Sequence, residues 1–350
     1  MKRPWTRRDF IHSVGVATAS LAAGCVASEP DQENKINKRE ALLGLLDPSK
    51  EQTYIPAGFF LHFDELYHQG PEAIDKHLEF FRYTGMDFVK IQYEIVFPRL
   101  PEITTPADWA KMPLYEEDFY EPQLKVVEGL VEKAKDEALV LITLYSPFML
   151  AGQTIGSELL VEHMQESPEK VKKGMEVITE SLMQFVNGCI KAGVDGFYHS
   201  TQGGESFRFD DPAPFLECIK PYDLTVMEEI DRSCDFNILH VCDFHGGYDD
   251  LTPFLDYPGH VVNCSLKVGS EKMTAKEAAA MFGRPFMGGI ERLGVIASGS
   301  EDDVRMAVED VLRDVPDRFL LGADCTVPSD TPWDNIRTAI STAHSHSSTV

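Results

Sequence analysis

The sequence predicts a (β/α)8 barrel, an α/β fold, and three observations predict it. From about residue 52 onward, eight short β-rich runs alternate with amphipathic helical patterns. The bodies of those runs are mostly Val, Ile, Leu and Phe. His, Cys, Asp and Glu gather within a few residues of their carboxyl ends, which is where a barrel of this class carries its active site. A doubly wound open sheet has the same alternation and is the alternative fold.

Taken in order, residues 1–25 read as a targeting segment outside the fold. Thr6-Arg7-Arg8-Asp9-Phe10-Ile11 resembles the twin-arginine export signature. The weakly apolar stretch after it, 11–23, is shorter than the roughly 20 residues a spanning helix needs, and it contains His12, Ser13, Thr18 and Ser20. It ends in Leu21-Ala22-Ala23-Gly24-Cys25, similar to the lipobox of bacterial lipoproteins, in which the chain is cut before the cysteine and the thiol is acylated. The expectation is an exported lipoprotein facing the periplasm or cell exterior, touching membrane only through an anchor at Cys25. A basic N-terminus on a cytoplasmic enzyme is the competing reading. Residues 26–50 are polar, then briefly helical over 39–46, and read as a tether to a domain spanning 51–350.

Within that domain the strand candidates are 55–61, 86–92, 138–145, 194–199, 236–242, 260–264, 285–290 and 319–325. Helical patterns separate them at 71–84, 123–137, 169–192, 224–232, 275–282, 301–313 and 332–344. The clearest is 169–192, with Val171, Met175, Ile178, Leu182, Phe185 and Cys189 at helical spacing and Gly193 closing it.

Composition bounds the function. The chain has 350 residues, 43% hydrophobic and 25% charged, enough for a sizeable core. A formal charge of −25 argues against nucleic acid, whose phosphates demand basic patches, and disfavours anionic lipid. Seven scattered cysteines do not form a disulfide framework. Export would permit a bridge, and Cys218 with Cys234 is the pair to test.

The strand ends carry His62 and Asp64, Gln92 and Glu94, Tyr145, then His199, Gln202 and Glu205. The later ends carry His240, Cys242, Asp243 and His245, then Asn263 and Cys264, Glu291, and finally Asp324 and Cys325. On a strand, side chains alternate faces, so His240 and Cys242 point together and Val241 points away. An imidazole beside a thiolate makes two-thirds of an open zinc site, and Cys325 is the candidate third ligand. Cys264 is its rival, as a third or a fourth ligand. A fourth would make the site structural rather than catalytic. The plain alternative is a buried cysteine beside a core histidine.

Several motifs resemble the uroporphyrinogen decarboxylase superfamily over about 54–345. They are Thr84-Gly85-Met86-Asp87-Phe88-Val89-Lys90, Gln202-Gly203-Gly204-Glu205, Ile238-Leu239-His240-Val241-Cys242 and Phe286-Met287-Gly288-Gly289-Ile290. The last and most specific is Leu321-Gly322-Ala323-Asp324-Cys325-Thr326-Val327-Pro328, followed by Thr331-Pro332-Trp333-Asp334-Asn335-Ile336. The decarboxylase branch uses arginines in an Ala-Gly-Arg context, whereas here Ala57-Gly58 is followed by Phe59. Its late Gly-His-Gly is replaced by Ala323-Asp324-Cys325. Both departures count against porphyrinogen decarboxylation. The sequence is closer to the methylcobamide:thiol methyltransferase branch, which holds zinc through His-x-Cys and a distant Cys.

That resemblance implies a zinc cofactor on His240, Cys242 and Cys325, with a corrinoid as a second candidate cofactor. The expected reaction is methyl transfer to or from a small thiol, in which a zinc-bound thiol reacts as its thiolate. Glu205, Asp243 and His245 are candidates for orienting a ligand or moving the proton. His62, Gln202 and Asp324 are candidates for contacting the cofactor. Solvated loop residues and backbone hydrogen bonds are the plain reading of each. Two other functions stay open at this stage, a metal-free decarboxylase-like lyase acting on a tetrapyrrole and a non-catalytic binding lipoprotein.

Overall fold

The computed structural model describes residues 36–346. The signal and anchor expected over 1–25 lie outside the described residues, as does most of the proximal tether. The helices and strands run α1 Lys38–Gly44, α2 Gly70–Thr84, β1 Phe88–Ile91, α3 Glu117–Ala134, β2 Leu139–Tyr145, α4 Pro147–Ile155, α5 Ser157–Glu166 and α6 Pro168–Ala192. They continue β3 Gly196–Thr201, α7 Ala213–Cys218, α8 Lys220–Ser233, β4 Ile238–Val241, β5 Val261–Cys264, β6 Lys267–Val268 and β7 Glu271–Lys272. The last are α9 Ala275–Phe282, β8 Phe286–Ile290, α10 Val295–Ser298, α11 Glu301–Leu312, β9 Phe319–Ala323 and α12 Trp333–Ser345.

Seven of these strands form one parallel sheet in the order β1-β2-β3-β4-β5-β8-β9. The order follows the chain with no reversal, so a doubly wound sheet is excluded. The eighth position belongs to residues 55–61, expected as a regular strand. They instead join the two ends of the sheet by isolated bonds. Gly58 N donates to Leu321 O at 3.0 Å, Leu321 N to Pro56 O at 2.9 Å, and Asp87 N to Ala57 O at 3.0 Å. Two local causes shorten the ladder: Pro56 has no N–H, and the Ala57 N–H is taken by the Asp87 carboxylate at 2.8 Å. Gly58 permits the approach, because a Cβ there would sit 2.3 Å from the Phe88 ring.

The barrel interior divides into two layers. Its lower part is apolar, filled by Phe60, Phe88, Leu141, Ile238, Met287 and Leu320. Leu42 and Leu45 belong to the same cluster, brought by α1. Residues 38–44, assigned from sequence to the tether, are thus helical and packed on the barrel. Arg39 fixes them with a paired bond to Asp195 at 2.7 and 2.9 Å. A second, larger cluster fills the layer between sheet and helices, and there the Val171–Cys189 stripe of α6 is buried as its spacing predicts. Helices α4 and α5 have no counterpart in the sequence reading. Pro147 starts α4, and Gly156 at φ 96° separates the two, so the pair looked like a loop after β2.

Candidate metal and substrate site

Above the apolar layer the inward side chains turn polar, at the carboxyl ends of the strands. His240 lies on β4 in register with Ser200 of β3 and Asn263 of β5. Cys242 follows one residue past the strand, its N–H still bonded to Thr201 O at 3.0 Å. The Tyr248 hydroxyl donates to the Cys242 carbonyl at 2.9 Å and holds that turn. On the opposite side of the chain, Asp324 N bonds Ile290 O at 2.9 Å and delivers Cys325 at the end of β9. Asn263 links the two walls by donating to Met287 O and Ala323 O, each at 2.9 Å.

The outcome is that His240, Cys242 and Cys325, all buried, offer ligand atoms within 4.8 Å of one another. The two sulfurs stand 3.8 Å apart. Thiolates bound to one tetrahedral zinc at about 2.3 Å would be separated by about 3.8 Å. His240 Nδ1 has no hydrogen-bond partner among the described residues, an unusual state for a buried ring nitrogen. Donor chemistry and spacing therefore fit a zinc ion. The hydrogen bond from Cys325 holds the Cys242 thiol well below its ordinary value against the opposing effect of burial. The same bond, with burial, pushes Cys325 up.

Cys264 is separate from this group. It stands in register with Val241, so it shares the face that His240 and Cys242 leave, and burial pushes its thiol up to about 12. The Cys218–Cys234 bridge is also absent, since both thiols are free. Helix α8 lies between them, and its 14 residues at 1.5 Å each span about 21 Å.

A cavity of about 370 Å³ opens onto the ligand group. Gln202, His62, Tyr145 and His245 line it, together with Lys90 and Thr143. Gln202 Nε2 donates to Cys242 Sγ at 3.2 Å. His62 Nδ1 meets Glu94 Oε1 at 3.0 Å, and its Nε2 meets the Tyr145 hydroxyl at 3.3 Å. The Tyr198 ring lies 5.0 Å from the His240 ring, and its hydroxyl donates to Asn263 Oδ1 at 2.5 Å.

The structure does not bring Glu205, Asp243 and Asp324 to this cavity. Glu205 accepts from Gly203 N at 2.7 Å and from Arg208 at 2.5 and 2.7 Å, closed off with its partner in the protein interior. Asp243 and Asp324 line a different cavity of about 580 Å³ beside Arg292, whose N–H donates to Asp324 Oδ1 at 2.8 Å. Burial raises both carboxyls. His199 is opposite Leu239, on the outer face, and burial pushes its ring down to about 3.

Sequence reasoning passed over Lys90. Its Nζ donates to Thr143 Oγ1 at 2.6 Å and to Gln92 Oε1 at 3.2 Å, over the rings of Phe60 (3.5 Å) and Tyr198 (4.4 Å). Burial drives its pKa well below the ordinary lysine value. The signal was a charged residue alternating inward within Phe88-Val89-Lys90-Ile91, masked by its place in a strand body.

The family model for uroporphyrinogen decarboxylase (URO-D) matches residues 80–346. The chain belongs to that family. No curated protein matches it. Among solved structures, a methyltransferase from Methanosarcina mazei is similar at 14% identity and TM-score 0.66, covering 88% of this chain and 98% of that one. A putative vitamin-B12 independent methionine synthase from Listeria monocytogenes aligns at 13% identity and TM-score 0.47, over 83% of this chain and 96% of that one. At 14% identity the first likeness establishes a shared fold, and nothing is argued from the second. In this member of the URO-D family Phe59 is fully buried, at the position where the family resemblance calls for arginine.

Proposed function

We propose that the chain is an enzyme that holds zinc on His240, Cys242 and Cys325 and transfers a methyl group to or from a small thiol, a corrinoid being the candidate methyl carrier. The observation that carries this reading is the meeting of one imidazole and two thiols, 4.8 Å or less apart, on the wall of a cavity of small-molecule size. Zinc held by three protein ligands leaves a position for substrate and favours the thiolate form of a bound thiol. The chain's own residues do the remaining work. The Gln202 amide donates to Cys242 Sγ and disperses its negative charge. The Tyr198 ring sets the plane of the His240 imidazole. Thr143 and Gln92 hold the Lys90 amine at the cavity wall, facing the place where a bound thiol would sit.

Elemental analysis of the purified protein is expected to find one zinc per chain. Cys325→Ser should lose most of it and Cys264→Ala should keep it; full retention in Cys325→Ser contradicts the ligand set. Methyl transfer from methylcobalamin to 2-mercaptoethanol should stop in chelator and return with zinc. A lyase of the decarboxylase type would continue in chelator.

A further inference from the structure

We propose that Tyr145, His62 and Glu94 form a proton-relay arm running from the ligand cavity to solvent, which takes up the proton that a thiol loses on binding. This rests on the metal reading above and adds a route for the proton that the ligand group itself lacks.

The arm is built from three consecutive strand ends. Tyr145 closes β2, Glu94 lies three residues beyond β1, and His62 follows the 55–61 segment. With Glu94 Oε1 3.0 Å from Nδ1, that nitrogen carries the imidazole proton and Nε2 is left to accept from the Tyr145 hydroxyl at 3.3 Å. The second Glu94 oxygen lies 3.6 Å from His68 Nε2, which also donates to Phe63 O at 2.9 Å. Glu94 N is fixed by Gln123 Oε1 at 3.1 Å. Tyr145 and His62 share the cavity wall with Cys242 and Cys325; the His62 side chain is 34% exposed and Glu94 10%, so it is the His62 ring that gives the arm its contact with water. Burial raises the Tyr145 hydroxyl, with charge from Glu94 and both thiols adding to it, so it stays protonated and able to donate. The charged and titratable groups around His62 and its cavity are Glu94, Lys90 and Arg99 from β1 and the segment after it, Tyr145 from β2, His68 from its own loop, and His240, Cys242, His245 and Cys325 across the cavity.

The step balances. The thiol S–H bond breaks and its electron pair stays on sulfur. The proton passes to the Tyr145 oxygen as the Tyr145 proton moves to His62 Nε2, and the resulting imidazolium is paired with Glu94. Reversal returns a proton to a departing thiolate. Tyr145 is the contact group, and His62 and Glu94 act through it.

The test uses the full chain loaded with cobalt(II), with ethanethiol as probe and the sulfur-to-cobalt charge-transfer absorption followed by stopped flow across pH. The wild-type binding rate at each pH is the reference against which the variants are read. His62→Gln and Tyr145→Phe, at unchanged cobalt content, should slow the step by about 10- to 100-fold, within the range for general acid–base catalysis. Added imidazole should restore the His62→Gln rate in part. Glu94→Gln should slow the step as well, because Nδ1 loses the carboxylate that holds the ring and its tautomer. Rates and pH profiles equal to wild type in all three variants overturn the relay while leaving the metal reading intact. Failure of the wild type to take up cobalt overturns both.

Discussion

Cys242 and Cys325 come from strands far apart in the chain, yet their sulfurs end 3.8 Å apart because Cys242 makes the last ladder bond of β4 and Cys325 follows that of β9 by one residue. That meeting was legible in the sequence, since alternation fixes the face of His240 and Cys242 and a barrel brings its strand ends together. The face of Cys264 required the register, in which it pairs with Val241. Glu205 shows where proximity to a strand end stops being informative. It follows β3 by four residues, but Arg208, three residues further along the same turn, captures it. Both side chains are almost wholly shielded from water, with the Arg208 guanidinium 5.0 Å from the rings of Phe148 and Phe207. Glu205→Ala therefore strands a buried guanidinium and should lower stability by about 3–5 kcal/mol in urea unfolding. Zinc content measured on the folded fraction should be unchanged. A loss of metal without a loss of stability would return Glu205 to the site.

At the scale of elements, α8 supports the strand end that presents Cys242. Asp223 of α8 is buried, accepting from the Thr201 hydroxyl and from the Tyr257 hydroxyl at 3.2 Å, while its other oxygen has no partner among the described residues. Thr201 in turn accepts the Cys242 N–H through its carbonyl. Burial raises the Asp223 carboxyl from 3.8 to about 7. A carboxyl raised on folding binds its proton more tightly in the native state. Its contribution is thus fully present below the unfolded pKa of 3.8 and is lost as pH rises through about 7. The urea midpoint of the wild type should fall as pH rises from 3.8 to about 7, and Asp223→Asn should flatten that slope. Parallel slopes would show that Asp223 ionises as freely in the folded chain as in the unfolded one.

On the whole molecule, the division of the barrel into an apolar lower layer and a polar upper one places a cavity over a packed floor. Most of the sheet was readable because parallel strands buried on both faces are apolar runs whichever way they point. Three features resisted for physical reasons. Residues 55–61 close the ring with too few ladder bonds to register as a strand, because Pro56 and the Asp87 carboxylate remove two donors. Helix α1 looked like part of a tether because its polar neighbours hide Leu42 and Leu45. Lys90 sat inside an apolar run and read as strand body, although its amine reaches the cavity.

X-ray absorption at the zinc edge of the purified protein tests the central claim most directly. The account predicts two sulfur ligands at about 2.3 Å, one nitrogen at about 2.0 Å and a lighter fourth ligand that becomes a third sulfur when thiol is added. A zinc with no sulfur ligands, or one whose four protein ligands leave no place for thiol, would contradict it.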